Sequence, residues 1–214
     1  MRAQGAGYHF DAEPQLRRML IIHHRINEIS RLPLIPRDEG VEIDLRTNGR
    51  SVILHHEPFE QGDRLEDYLD AYGPRRKSPL VLNMKEDLLE ERVIALCRER
   101  GIENYFFLDC AFPTLVRLVK TGITNVAVRL SEYEPMETAR AFQGKCAWAW
   151  VDCFTGKPPA AALIREVQGL GYRVCLVSPE LQGFEDPSGH LSLRALLTSD
   201  DAVCTKRADL WGRT

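Results

Sequence analysis

Two histidine doublets, His23-His24 and His55-His56, each close an apolar run: Ile21-Ile22 for the first, Val52-Ile53-Leu54 for the second. Imidazole exchanges a proton near neutral pH, which general acid–base chemistry requires. Between the doublets lies Val41-Glu42-Ile43-Asp44-Leu45. Strand side chains alternate between faces, so Glu42 and Asp44 share one face and the three apolar residues take the other. Two buried carboxylates with no cation between them repel. A hard divalent cation, magnesium or calcium, would relieve that repulsion through oxygen ligands. An isolated Glu-x-Asp at a strand end is more often a salt-bridged or solvated pair. Four histidines around this one move the reading toward chemistry.

Leu80-Val81-Leu82-Asn83-Met84-Lys85 places Asn83 and Lys85 on one face. An amide oxygen suits a hard cation, and an ammonium group can neutralise charge on a phosphate oxygen. The plainer alternative for Lys85 is a strand-end lysine reaching solvent. Trp148, Trp150 and Asp152 share a face of another apolar run, and Asp109 and Arg129 end two more. The tryptophans could wall a pocket or pack beneath helices, and Arg129 is a candidate phosphate-binding cation. The histidines could instead ligate zinc or iron. Both members of a doublet would then have to face inward, which alternation opposes.

These residues need a frame. Apolar runs suited to strands recur at Met19–His23, Val41–Leu45, Leu80–Met84, Tyr105–Leu108, Val126–Leu130, Cys146–Val151, Val174–Val177 and Ala202–Thr205. Ser51–His55 follows the second run too closely for a crossover and reads as a hairpin beside it. Helical segments are expected at Leu65–Tyr72 behind an Asp63 cap, at Asp87–Arg100 and at Phe112–Thr121. Others are expected at Pro135–Phe142, Pro159–Gly169 and Leu191–Leu197. Alternating strands and helices predict a parallel sheet. Eight strands without a glycine-rich phosphate loop favour a (β/α)8 barrel over a doubly wound sheet. Pro33 and Pro36 leave no room for a full first helix. In such a barrel, functional groups stand at the carboxyl ends of the strands.

The 214 residues are read as a single domain, slightly short for a barrel that typically needs ~250. A net charge of −3 gives no basic footprint, so nucleic acid and anionic membranes are poor partner candidates. The N-terminal stretch Met1–Phe10 lacks a signal-like apolar run and no later run could span a bilayer, which predicts a cytoplasmic protein. Six cysteines show no CxxC pair, and most lie in or beside expected strands, where a reduced thiol behaves as a small core residue.

In order along the chain, Ile21-Ile22-His23-His24-Arg25, Glu42-Ile43-Asp44-Leu45 with Thr47-Asn48-Gly49, Val52-Ile53-Leu54-His55-His56-Glu57-Pro58, Leu82-Asn83-Met84-Lys85 and Ala202–Asp209 resemble segments of the glycerophosphodiester phosphodiesterase barrels. The resemblance implies a metal-dependent phosphodiesterase acting on a small or lipid-derived phosphodiester. It makes His24 and His56 the acid–base pair and Lys85 the charge-stabilising cation. Glu42, Asp44 and Asn83 would hold magnesium or calcium, and Arg25 would help bind phosphate. The chain departs from the family pattern in several places, among them a missing Pro-Glu-Asn-Thr stretch. Ile26 stands where glycine is usual, Asn83 replaces a carboxylate, and only 28 residues separate His56 from Lys85, so the cap insertion is missing. A non-catalytic barrel that binds a phosphorylated ligand or a partner protein is the alternative.

Overall fold

Parallel strands buried on both faces need nearly continuous apolar sequence, and the runs above supply it. The computed structural model describes residues 19–74 and 78–212, so the N-terminal stretch read for a signal lies outside the described residues. The strands are β1 (Leu20–His23), β2 (Gly40–Asn48), β3 (Ser51–Leu54), β4 (Leu80–Met84), β5 (Tyr105–Leu108), β6 (Ala127–Leu130), β7 (Trp148–Val151), β8 (Arg173–Val177) and β9 (Ala202–Thr205). Eight of them run in the order β5-β4-β2-β1-β9-β8-β7-β6, all parallel. The two ends meet where Phe107 bridges Val126, with the Phe107 N–H donating to Asn125 O at 3.0 Å. The result is a nearly closed (β/α)8 barrel. The ninth strand, β3, folds back antiparallel on the outer half of β2, pairing Leu45 with Leu54 and Asn48 with Ser51.

The helices are α1 (Leu65–Tyr72), α2 (Glu90–Glu99), α3 (Phe112–Lys120), α4 (Met136–Ala141), α5 (Ala161–Gly169), α6 (Ser188–Leu191) and α7 (Ala208–Trp211). The first connection holds only a 3-10 turn, Ile29–Leu34, with Pro33 inside it. Three local expectations change. Helix α2 starts at Glu90 rather than Asp87, because Leu88 sits at φ 70°, outside helical space. Leu191–Leu197 splits into the end of α6 and a 3-10 turn, Ser192–Leu196. Asp63 does not cap α1; its carboxylate instead accepts the Ile29 N–H at 2.6 Å and ties down the helix-poor first connection.

Alternation divides the apolar residues into two cores. Val41, Ile43 and Leu45 face outward with the helix-packed layer, while Ile22, Val81, Phe106, Trp148 and Cys175 fill the barrel interior. Trp148 stacks on Phe106 with ring centroids 4.5 Å apart, closing the lower part of the barrel. All six cysteines are free, and burial pushes the thiols of Cys97, Cys110, Cys146 and Cys153 up to about 12. They behave as the core residues expected. Among the described residues no helix is long and apolar enough to cross a membrane.

At the end opposite the strand carboxyl termini, the buried Asp201 accepts the N–H groups of Val174 and Thr198, the Thr198 hydroxyl and the Gln168 amide, at 2.7–2.9 Å. Its own carbonyl accepts the Leu20 N–H at 2.8 Å. The side chain therefore ties β8 to the loop before β9 and to α5, and the main-chain carbonyl of the same residue holds β1, where no chemistry is placed. Asp201→Ala strands several buried donors, and the expected loss is roughly 3 kcal/mol of stability in denaturant titrations. The cavity at the other end should keep its ligand affinity.

Candidate active site

The chain leaves β1 through a tight reversal. Arg25 adopts φ 53°, which turns its N–H onto Glu42 Oε2 at 2.7 Å and lets the Ile26 N–H donate to the Glu42 carbonyl at 2.9 Å. The reversal also brings Asn27 against Asp44, where its amide donates to Oδ2 and accepts the Asp44 N–H, both at 2.8 Å. Glu42 Oε1 accepts from the Asn83 amide at 2.8 Å. The two carboxylates are fully buried, as alternation required.

From Asp44 a line of alternating charge crosses the barrel mouth. Lys85 Nζ lies 3.6 Å from Asp44 and 3.2 Å from Asp109. Asp109 also takes Arg129 at 2.6 Å, and Arg129 reaches toward Asp152 at 3.9 Å. Asp152 in turn accepts from Trp150 Nε1, the Cys153 N–H and the Gln182 amide. Above this line lies a cavity of about 170 Å³ lined by His24, Arg25, Lys85, Arg129 and Lys206, with Trp150 and Leu108 among its apolar walls. Glu180 aims Lys206 by accepting its N–H at 3.0 Å while also taking the hydroxyls of Ser178 and Thr205.

Burial decides the protonation states. It lowers His24 to about 3, helped by the charges of Arg25, Lys206, Lys85 and His56. The 3.8 Å approach of His24 Nε2 to Glu42 is thus a contact of a neutral ring, not an ion pair. Glu42 is raised to about 7 by burial first and by Asp44 second, against the pull of the Asn83 amide, the Arg25 N–H and Lys85.

The residues accept a hard cation by donor type. Asp44 Oδ1 and Asn83 Oδ1 are buried oxygens without hydrogen-bond partners. Such orphaned acceptors are rare in folded proteins, and a cation satisfies them. The set is small, however, and Lys85 already offsets part of its charge. Among the described residues no three His, Cys, Asp or Glu side chains group as a metal cage.

The barrel has close counterparts among solved structures. A glycerophosphodiester phosphodiesterase from Agrobacterium tumefaciens superposes with a TM-score of 0.66 at 13% identity, covering 90% of this chain and 97% of that one. A second protein of that organism, assigned as a glycerophosphoryl diester phosphodiesterase, gives 0.68 at 14%, with 90% and 95% covered. One assigned as a glycerophosphodiester phosphodiesterase from Galdieria sulphuraria gives 0.67 at 13%, with 90% and 96% covered. This chain has their fold. A tryptophan synthase structure from Pyrococcus furiosus also matches, at 0.54 and 12% identity. No family model matches the sequence, and no curated protein does.

Eight residues singled out in the sequence line the cavity: His24, Arg25, Asn83, Lys85, Asp109, Arg129, Trp150 and Asp152. Glu42 and Asp44 stand behind that lining. Trp148 does not wall the cavity; it is fully buried lower in the barrel, against Phe106 and the Arg173 guanidinium, which lies 4.2 Å from its ring. His56 is not in the lining, and its Nδ1 meets Glu57 Oε1 at 2.6 Å. Its neighbour His55 turns to the Glu57 carbonyl at 3.0 Å, and His23 to Glu39 at 2.5 Å. Lys206, Asn27 and Gln182 had been given no role. The strand-end rule applied to β9 would have found Lys206. Asn27 depends on the backbone reversal at Arg25, for which the sequence carries no sign.

Glu42 gives a pH test. Its folded value near 7 lies above its ordinary 4.5, so its contribution is fully present below about 4.5 and lost as pH rises through 7. Glu42→Gln removes that titration, and the Asn83 oxygen can accept from the new amide. His24 is lowered in both proteins, so its loss of stability toward acid cancels in the difference. In chelator, Glu42→Gln should be more stable than the parent at pH 8, by about 2–3 kcal/mol, and equal to it near pH 4.5. Parallel urea titrations at the two pH values measure the gap.

Proposed function

We propose that this chain is a phosphoric diester hydrolase that acts on a small or lipid-derived phosphodiester of the glycerophosphodiester type. The observation that carries the reading is the convergence of Arg25, Lys85, Arg129 and Lys206 on one small cavity beside a histidine held neutral. A phosphodiester is a single anion with two oxygens to receive donors, and planar guanidinium groups pair with it in two-point fashion. Asp109 and Asp152 leave the lining with a surplus of two positive charges, from four cations less two carboxylates.

His24 is the base of the proposed pair, because a neutral ring can take a proton from the attacking hydroxyl or water. Bound phosphate would oppose the field of the surrounding cations and raise the proton affinity of His24 toward a working value. His56 is the proposed acid, with Glu57 fixing its ring, and it would deliver a proton to the departing alcohol oxygen. Lys85 would meet the charge that grows on the phosphoryl oxygens. Glu42, Asp44 and Asn83 are the residues that would hold a divalent cation, which when bound acts as a Lewis acid on a phosphoryl oxygen. A second reading has its own support: Lys85 lies between Asp44 and Asp109, an arrangement that balances charge without a metal. A phosphate-binding barrel without turnover would look the same there.

A panel of soluble phosphodiesters, assayed with magnesium or calcium and again with chelator, separates the two. Turnover lost in chelator is the expected result, and binding without turnover would sustain the second reading. His24→Ala and His56→Ala should each lower kcat by ~10²–10⁴-fold, the usual scale of general acid–base catalysis. His55→Ala, whose ring serves a local backbone contact, should leave kcat within a few-fold of the parent. Equal losses at His55 and His56 would remove His56 from the mechanism.

Asn83 supplies the matching test of the metal. A carboxylate there adds a third charge to the ligand set, and affinity for hard cations rises with ligand charge. Calorimetric titration of Asn83→Asp should show tighter magnesium binding than the parent, with a less stable metal-free form because three buried carboxylates then repel. Unchanged affinity would place the cation away from Asn83.

A further inference from the structure

Seven large apolar side chains are exposed among the described residues, on segments that follow strands; six stand shortly after a strand's carboxyl end, whereas Leu34 ends the 3-10 turn nearer the start of β2. Leu34, Phe59 and Leu88 occupy the first three such segments, with exposures of 78%, 102% and 74%. The next four carry Phe112, Tyr133, Phe154 and Phe184. Scattered exposed apolar residues are ordinary, but a ring of them at one end of a barrel is not.

Backbone geometry marks the same end. Four described non-glycine residues have positive φ; Arg25 and Asp109 line the cavity, and Phe59 and Leu88 lie outside that lining on the loops after β3 and β4. The left-handed region costs a bulky side chain free energy, and such residues gather at functional sites. Phe59 and Leu88 therefore hold an unfavourable backbone and an unfavourable exposure together. Contacts join the ring to the cavity. The Arg129 guanidinium lies 5.7 Å from the Phe154 ring, Tyr133 lies 6.2 Å from Phe154, and Phe184 packs on Gly156, where a Cβ would enter its ring.

Whatever covers this ring also covers the cavity mouth. A second copy of the chain would seal the cavity from its substrate, whereas a lipid surface brings phosphodiesters to it. We infer that this end of the barrel docks on a zwitterionic phospholipid surface and draws a lipid phosphodiester headgroup into the cavity; the substrate part of this inference rests on the hydrolase reading. The cavity, at about 170 Å³, falls below the ~300–1,000 Å³ of pockets that engulf drug-sized ligands. It suits a phosphate with a small alcohol, and the alkyl chain stays outside against the rim. Phe and Tyr side chains are at home at the depth of lipid headgroups. On these loops the exposed Glu57, Glu60, Glu86, Asp87, Glu132, Glu185 and Asp186 outnumber Arg31, Lys157, Lys206 and Arg207, an acidic rim that opposes a strongly anionic surface and leaves a zwitterionic one.

The test is pelleting with vesicles of pure phosphatidylcholine, comparing the parent with the double variant Phe59→Asn, Leu88→Asn. Asparagine tolerates positive φ, so the loops keep their conformation while losing the apolar groups. The parent should pellet, and the variant should need ~100-fold more lipid for the same bound fraction. The melting temperature should hold or rise. Turnover of water-soluble glycerophosphocholine should be unchanged, while turnover of lysophosphatidylcholine carried in the vesicles should fall. Equal pelleting of the two proteins, or none by either, overturns the inference. So does a fall in melting temperature, which would make the two side chains packing groups. A parent dimer in light scattering that the variant abolishes assigns the ring to a second copy and overturns it too. If the vesicle results hold but no diester is hydrolysed, the hydrolase reading and the substrate assignment fail and the docking face stands.

Discussion

Burying Glu42 and Asp44 side by side on one strand imposes the arrangement of everything at the barrel mouth. Each carboxylate has left water, and the two repel, so the surrounding chain must supply donors or positive charge. The turn after β1 supplies a backbone N–H from Arg25 and the amide of Asn27. The neighbouring β4 supplies Asn83 and Lys85. Lys85 then requires Asp109, and Asp109 gathers Arg129. The compensation thus spreads outward from two acids until it reaches the cavity wall.

That compensation is incomplete, and the gap has chemical meaning. One oxygen of Asp44, 3.6 Å from the Lys85 ammonium, and the oxygen of Asn83 remain buried without a hydrogen bond. Glu42 is left near 7, able to hold a proton that an exposed carboxylate would release. Burial first, and the neighbouring cations second, keep the His24 ring neutral. Each of these groups is poised for an added partner: a cation for the oxygens, an anion for the lysine and arginines. A polar network satisfied internally would have neither capacity.

The sequence made the frame readable because parallel strands buried on both faces carry a strong signal, and all eight barrel strands stand where the apolar runs predicted. Period-two alternation also placed Glu42, Asp44, Asn83, Lys85 and Arg129 toward the interior. What alternation cannot give is height along the barrel axis. Trp148 and Trp150 point the same way, yet one fills the interior and the other lines the cavity, because two residues of rise separate them. Nor does it reach into loops. Asn27 and Gln182 enter the site through a backbone reversal and a 3-10 turn, and His56 lies on a loop where no strand period applies. Asp63 misled for a related reason: its position fits a helix cap, and a tertiary contact claimed the side chain instead.

The two ends of the barrel solve opposite problems. At the amino ends of the strands, Asp201 meets four donors and its own carbonyl holds a fifth, so this buried residue works for cohesion. At the carboxyl ends, the described residues show left-handed backbone at Arg25, Phe59, Leu88 and Asp109, buried oxygens without hydrogen bonds and exposed aromatic rings. Each of those features costs stability by itself. A sheet fastened at one end can carry such strain at the other, because the strands transmit the constraint along their length. The division explains how the barrel stays closed while its carboxyl end carries left-handed backbone and buried oxygens without hydrogen bonds.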